Sequence, residues 1–298
     1  MPGTLYIVAT PIGNLADMTP RAVEVLSQAD MIAAEDTRHS RGLLTHFGIR
    51  TPLFSCHKFN EGKRGDFFLS ALEAGKSVAL ISDAGTPSIS DPGHILVSMA
   101  AAKGIEVVAV CGANAVAAAL SVSGFDASRF MFLGFMPRTP KEQAEIWDML
   151  GGINGLQNRP GFSPPAVFYE SPLRIHKTLI LLAETYPTAR ICLCNDITKK
   201  FERIYRGTPS EVLEELSQNA NAKKGEYTCI VILPAKESNE DTAQPLSLEA
   251  QLVDIMIKNR CTLKDAVNLL YETQKQMGIP GGKKAIYAAN LRLKELLV

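Results

Sequence analysis

The four-residue apolar run Val78–Ile81 passes directly into Ser82-Asp83-Ala84-Gly85-Thr86-Pro87-Ser88-Ile89-Ser90-Asp91-Pro92-Gly93, and the helical pattern His94–Lys103 follows. A short run that is apolar at every residue reads as a strand buried on both faces, the kind that parallel sheets bury under helices. Parallel neighbours need crossover connections, so this junction points to an α/β fold. A loop rich in Gly, Pro, Ser and Asp at the C-terminal end of such a strand is where open α/β sheets bind ligands. Glycine lets backbone approach a ligand, and proline limits the freedom lost on binding. Asp91-Pro92 reads as the N-cap and first residue of the following helix. Asp83 stands too far upstream to cap it and is the loop's candidate for ligand contact.

The same junction recurs. Leu5–Ala9 ends in Thr10-Pro11-Ile12-Gly13-Asn14 before a helix opened by Thr19-Pro20, and Met31–Ala34 ends in Glu35-Asp36-Thr37-Arg38-His39-Ser40. Further apolar runs are Val107–Val110, Met131–Phe135, Ala166–Tyr169, Ile191–Asn195 and Tyr227–Leu233. Helical patterns lie between them: Pro20–Ala29, Phe67–Ala74 stopped by Gly75, and Leu173–Glu184 behind Ser171-Pro172. Thr208-Pro209-Ser210-Glu211 is a capping box. The alternation predicts an α/β architecture whose N-terminal sheet is largely parallel. An N-terminal domain is expected over 1–111 and a second α/β domain over 112–235, which opens with the small-residue helix Ala115–Val122. Gly151 to Pro165 holds four Gly and three Pro and reads as a loop. Residues 236–246 are polar and acidic, a linker composition. The tail, 247–298, carries three amphipathic patterns, Glu249–Lys258, Leu263–Lys275 and Lys283–Leu297. They fit a helix-turn-helix-like module or a generic three-helix bundle.

At 298 residues, 46% hydrophobic and 21% charged, the chain has the composition of a soluble protein with substantial cores. No apolar run approaches bilayer length, and Met1-Pro2-Gly3-Thr4 lacks a signal-peptide pattern, so a cytoplasmic protein is expected. The six cysteines include no C-x-x-C pair, Cys192 and Cys194 share one face of a strand, and the histidines are scattered. Reduced thiols, with neither metal nor disulfide, are the expectation. Lys+Arg and Asp+Glu balance at 31 each, which counts mildly against a nucleic-acid partner. Local basic clusters stand at Arg38 with Arg41, Lys199-Lys200 with Arg203 and Arg206, Lys223-Lys224, and Lys283-Lys284 with Arg292 and Lys294. Each alone reads as solvated surface unless several converge on one cleft. There is no G-x-G-x-x-G after the first strand, no P-loop and no G-x-S-x-G elbow. These absences weigh against dinucleotide redox chemistry, P-loop hydrolysis and serine hydrolysis.

At five places the chain resembles the ribosomal small-subunit methyltransferase I family, 16S rRNA cytidine 2′-O-methyltransferases of the tetrapyrrole-methylase superfamily. They are Leu5–Leu15, Ala34-Glu35-Asp36-Thr37-Arg38, Ser82–Pro87 with Asp91-Pro92-Gly93, Phe168-Tyr169-Glu170-Ser171-Pro172, and Lys224-Gly225-Glu226. The segments run in order over most of the chain. The resemblance implies a two-domain tetrapyrrole-methylase-like fold with a C-terminal helical extension that helps hold RNA. It implies S-adenosyl-L-methionine as cofactor and a homodimer. The implied partner is 16S rRNA within the small subunit, with no DNA and no membrane. It implies cofactor contacts at Pro11 and Asp83-Ala84-Gly85-Thr86 on one wall, and at Gly112, Asn114, Ala115, Tyr169 and the strand around Tyr227 on the other. RNA contacts fall on Arg38, Arg41, Lys199, Lys200, Lys283 and Lys284. The chain departs from the family in two places. Cys111-Gly112-Ala113-Asn114 replaces a Pro-Gly-Pro-Ser-like segment, and Asn195-Asp196-Ile197-Thr198-Lys199 replaces Arg-Glu-Leu-Thr-Lys. The first loosens a loop, although Gly112 and Ala113 keep close approach; the second removes a phosphate-capable charge.

A ribose 2′-hydroxyl is a weak nucleophile until its proton leaves, so a general base near that oxygen is expected. Glu35 and Asp36 are the first candidates, Glu170 the second, and a Lys199 with lowered pKa the third. Glu35-Asp36 serve equally well as partners of Arg38 or as caps of a helix after Ser40, and Arg38 and Lys199 as phosphate holders. Two other functions stay open. One is a tetrapyrrole C- or N-methylase on the same cofactor fold, which Glu35–Arg38 and the helical tail speak against. The other is a non-catalytic RNA-binding ribosome assembly factor with a decayed cofactor loop, motivated by the missing prolines at 111 and 113.

Overall fold

The computed structural model describes residues 2–57, 61–156, 164–234, 247–276 and 282–296. They fall into two compact units, Met1–Lys236 and Glu237–Val298. The expected linker, 236–246, lies outside the described residues.

The first unit contains two sheets. Strands β1 (Thr4–Val8), β2 (Met31–Ala34), β3 (Leu53–Ser55), β4 (Val78–Ile81) and β5 (Glu106–Val110) form an all-parallel sheet in the order β3-β2-β4-β1-β5. Helices α1 (Pro20–Gln28), α2 (Thr37–His46), α3 (Glu61–Glu73) and α4 (His94–Ala102) make the crossovers. Every residue of β2 and β4 is buried. Successive side chains on a strand point to opposite faces, so Leu80 joins a core with Phe68, Leu72 and Leu96, while Ile81 joins Leu26 and Ile32 on the other side.

The chain then forms α5 (Ala115–Ser123), β6 (Met131–Phe135), α6 (Pro140–Leu156), β7 (Ala166–Glu170), α7 (Ile175–Thr185), β8 (Arg190–Asn195), β9 (Arg203–Gly207), α8 (Pro209–Ser217) and β10 (Tyr227–Ile232). The second sheet runs β6-β7-β10-β8-β9; β6 and β7 are parallel and the remaining pairs antiparallel. The loop expected from Gly151 is in part a helix. A parallel β6–β7 pair needs a crossover, and α6 supplies it, anchored by fully buried Trp147 against Phe168 at 5.6 Å. Gly151 and Gly152 lie inside that helix, and 157–163 lie outside the described residues. Cys192 and Cys194 share a buried face, with 3.9 Å between their sulfurs.

The second unit holds α9 (Leu248–Asn259), α10 (Leu263–Gln276) and α11 (Gly282–Leu296) around its own core of Leu252, Ala266, Leu270, Ile286, Ala289 and Leu293. Thr262 and Asp265 bond reciprocally at the start of α10. Among the described residues no helix is long and apolar enough to cross a membrane.

Candidate functional site

The C-terminal ends of the parallel strands are tied to one another by backbone. Thr10 N donates to Gly85 O at 2.9 Å and Gly85 N to Thr10 O at 3.0 Å, which joins the loops after β1 and β4. Gly85 holds φ 79°, and a Cβ there would lie 3.3 Å from Ile12 Cγ2. On the other flank the Thr86 hydroxyl donates to Ala113 O at 3.2 Å. Asn114 caps α5 through Ala117 N at 3.1 Å and reaches Thr86 Oγ1 at 3.5 Å. These bonds hold the 111–114 loop without the two prolines. Gly112 does allow close approach, since a Cβ on it would fall 3.0 Å from Ala9 Cβ.

Facing these loops are the ends of β6, β7 and β10, and between the two walls is a cavity of about 520 Å³. Its lining includes Asp83, Ala84, Gly85, Thr86, Asn114 and Ala115 from one side and Tyr169, Glu170 and Tyr227 from the other. Pro11, which is buried, and Gly112, which packs on Ala9, are not in the lining. Sequence reasoning missed Ile12, Ile89, Phe135 and Ser171, all of which face the cavity, while Thr228 lies in the strand around Tyr227 that was expected to line it. Phe135 closes a strand, is 60% exposed, and meets Tyr169 edge-on at 5.4 Å.

Carboxylates crowd one part of the wall. Asp83 Oδ1 accepts the Asp36 backbone N–H at 3.1 Å, which brings the end of β2 beside the β4 loop. Glu35 lies in the same lining, and burial followed by the Asp83 charge raises its pKa. Asp91 is raised further, to about 6, by burial and then by Glu35, against an opposing bond from Ser82. Asp91 is not the helix cap expected of it. The α4 N-cap is Gly93, at φ 133° and without a side-chain bond, and α4 starts at His94 rather than Pro92. The Tyr169 and Tyr227 phenols are pushed up to about 12, chiefly by burial, so both are neutral donors at physiological pH. Among the described residues no three His, Cys, Asp or Glu side chains are placed to hold a metal ion.

The catalytic candidates separate on their bonds. Asp36 caps α2, accepting Arg38 N at 2.8 Å and pairing with the Arg38 guanidinium at 3.2 Å, bonds that lower its pKa. It does not line the cavity, and the helix it caps begins before Ser40. Glu170 is buried and fully engaged: it accepts Ser171 N at 2.7 Å and the Thr178 hydroxyl at 2.9 Å, and pairs with Arg174. Lys199 corrects the expectation of a lowered pKa. Burial pulls it down, but hydrogen bonds and charge from Glu226 and Asp196 outweigh burial and raise it, so the amine stays a cation. Of the expected RNA contacts, Arg38 is paired with Asp36, Arg41 is exposed, and Lys200 is exposed beside the Phe201 ring. Lys283 and Lys284 are exposed on α11 in the second unit.

The lining suits S-adenosyl-L-methionine in its chemistry. The volume is that of a small-molecule site, apolar Ile12, Ile89 and Phe135 offer surface to a base, and the carboxylates offer acceptors and negative potential to a cation.

The chain belongs to a methyltransferase class, the tetrapyrrole (corrin/porphyrin) methylases, whose family model matches residues 4–213. A crystal structure of diphthine synthase shares the fold at a TM-score of 0.59 and 14% identity, over 78% of this chain and 90% of that one. Within this class the chain belongs to the ribosomal RNA small subunit methyltransferase I family. The protein of that name from Xylella fastidiosa is 40% identical over 287 residues, covering 96% of this chain and 98% of the relative. That from Pseudomonas aeruginosa is 40% identical over 285 residues, covering 92% and 97%.

Proposed function

We propose that the cavity holds S-adenosyl-L-methionine and that the chain methylates the ribose 2′-oxygen of a cytidine in the decoding region of 16S rRNA, on the small subunit. One observation supports this above others. Residues far apart in sequence, from Asp83 to Tyr227, line a single cavity in a chain whose relatives carry the rRNA methyltransferase name.

The bound cofactor supplies an electrophilic methyl group on a cationic sulfur. The chain contributes position and field. Loops bonded at Thr10–Gly85 and Thr86–Ala113 hold one wall rigid, so little ordering is needed on binding. Such placement supplies much of the acceleration in a transfer between two bound reactants. Glu35, Asp83 and Asp91 give that wall a negative potential that favours a cation. For the 2′-hydroxyl proton, Glu35 is the best-suited base: it faces the cavity and burial raises its basicity. Asp36 and Glu170 are committed to Arg38 and Arg174, and Lys199 carries no lone pair while protonated. Arg38, Arg41, Lys200, Lys283 and Lys284 act as phosphate contacts, and the chain works as a homodimer in the cytoplasm.

The test is methyl transfer from labelled S-adenosyl-L-methionine to small subunits lacking the modification, followed by alkaline digestion. A 2′-O-methyl removes the hydroxyl that attacks its own phosphate, so label in an alkali-resistant dinucleotide supports the reading. Label at an alkali-sensitive position moves the chemistry to a base. Cofactor binding without any label on rRNA sinks the rRNA reading and returns the tetrapyrrole methylase to the front.

A further inference from the structure

We propose that Lys199 is a positioning residue that latches the two walls of the cavity together, with its stem on Gly13 and its ammonium on Glu226. The latch rests on the cofactor reading above for what the cavity holds.

Gly13 follows β1, one residue after Ile12, which lines the cavity. A Cβ built on Gly13 would fall 2.3 Å from Lys199 Cγ and 2.8 Å from Cε, so the lysine stem lies directly on the glycine α-carbon. Any side chain at 13 would displace it. The stem delivers the ammonium to Asp196 Oδ1 at 3.0 Å and Glu226 Oε2 at 2.8 Å. Glu226 immediately precedes β10 and lines the cavity together with Ile12 and the Asp83–Thr86 loop.

The segment that carries Lys199 is held from several sides. Asp196 N donates to Glu226 O at 3.0 Å, and Glu226 N to Asp196 Oδ1 at 3.3 Å. Gly225, at φ 81°, leaves room for the Asp196 carboxylate, which a Cβ at 225 would meet at 2.3 Å. Asp196 and Thr198 adopt φ 54° and 65°, a left-handed conformation that is costly for a β-branched threonine. Backbone of that kind persists where the surroundings over-determine it. The surroundings here are the carboxylate pair and the cation between them. Without the ammonium, Asp196 and Glu226 are like charges bridged by nothing, and Glu226 swings from the cavity rim. An exposed ion pair would contribute little. Glu226 is largely exposed, but Lys199 is about two-thirds covered and Asp196 more so, with the lysine stem fixed by packing, so the cation is held in one place and its charge sets a geometry.

The experiment is a cofactor titration by calorimetry, with Tm measured in parallel, on full-length variants. Lys199→Met keeps the stem and removes the charge; it is expected to raise the S-adenosyl-L-methionine Kd roughly tenfold, the size of a typical coupling between touching residues. Lys199→Arg keeps a cation and returns Kd to within about threefold of wild type. Lys199→Ala removes the stem and the charge together and raises Kd at least as much as Lys199→Met. A Lys199→Arg variant that binds the cofactor no better than Lys199→Met overturns the latch. So does an unchanged Kd in Lys199→Met, or a fall in Tm with Kd intact. Wild type that binds no cofactor overturns the functional reading and the latch with it; wild type that binds while a variant gives one of those results overturns the latch alone.

Discussion

The Asp91 carboxyl shares its half-buried wall with Glu35 and Asp83, and its pKa of about 6 stands against 3.8 for the free side chain. In the window between those values the unfolded chain has lost a proton that the folded chain keeps. Stability therefore falls as pH rises from about 4 to about 6 and stays at the lower level above it. Discounted for partial exposure to solvent, the effect is of order 1 kcal/mol. Asp91→Asn removes the charge but keeps the shape, and should raise the urea midpoint at pH 7.5 while leaving it unchanged near pH 4. Equal gains at both pH values would show that the charge is not the cause. The same substitution is expected to weaken cofactor binding, as a functional charge held against stability should. Two residues on, Gly93 combines φ 133° with a packed environment; a Cβ would stand 2.6 Å from Ser88 Oγ and 2.7 Å from Leu80 Cδ2. Gly93→Ala should cost about 2 kcal/mol or more in urea unfolding, and a loss under about 0.5 kcal/mol would show that the loop relaxes freely. Asp91-Pro92 satisfied the local rule for a helix start, and that rule is blind to a cavity. The glycine after the proline was the available signal, since a left-handed residue at 93 cannot continue a helix that began at 92.

At the junction of β7 and α7, Glu170 has no side-chain exposure and is held by Arg174, Thr178 and the Ser171 N–H. Deleting the cation from such a pair strands a buried charge. Arg174→Met should destabilise by about 3 kcal/mol, and Glu170→Gln in that background should recover most of the loss. Thermal unfolding of the two single variants and the double variant checks this; a double variant no better than Arg174→Met would mean that the stranded charge is not the source of the loss. Elements marked by burial or capping were readable from the residues alone. Met31–Ala34 and Val78–Ile81 are strands over the residues that their uninterrupted apolar character marked. Thr208 and Glu211 form the reciprocal cap that their spacing announced. What stayed hidden lacked such a pattern. The edge strand β3 is three half-buried residues, β9 is charged at Arg203 and Arg206, and α6 carries Gly151 and Gly152 in its last turns. Their cause is tertiary, a sheet edge to pair and a parallel crossover to complete, which a local reading does not contain. The cavity was half legible for the same reason: strand-end loops could be marked, but not that Ile89 and Phe135 would meet there.

Across the whole molecule, charge and architecture divide the work. The chain is neutral overall, so attraction to RNA has to come from local cations rather than net charge. All residues that line the cavity belong to the first compact unit. The second unit has a separate core and carries exposed Lys283 and Lys284 on α11. If α11 holds phosphates, the two jobs can be separated. A chain ending at Lys236 should keep its cofactor Kd within about threefold and fall tenfold or more in rRNA methylation, since it keeps the ligand site but not the cations that hold phosphate. In the full chain, Lys283→Glu with Lys284→Glu should cut methylation without touching cofactor affinity. Each phosphate-holding cation removed should lower the slope of log affinity against log salt by about 1. Calorimetry on both proteins, with subunit binding measured from low to moderate salt, reads these quantities. A shortened chain that methylates at the wild-type rate would remove the second unit from RNA recognition and leave Arg38, Arg41 and Lys200 to hold the substrate. A double variant with an unchanged salt slope but lost activity would mean that α11 acts through packing, not charge.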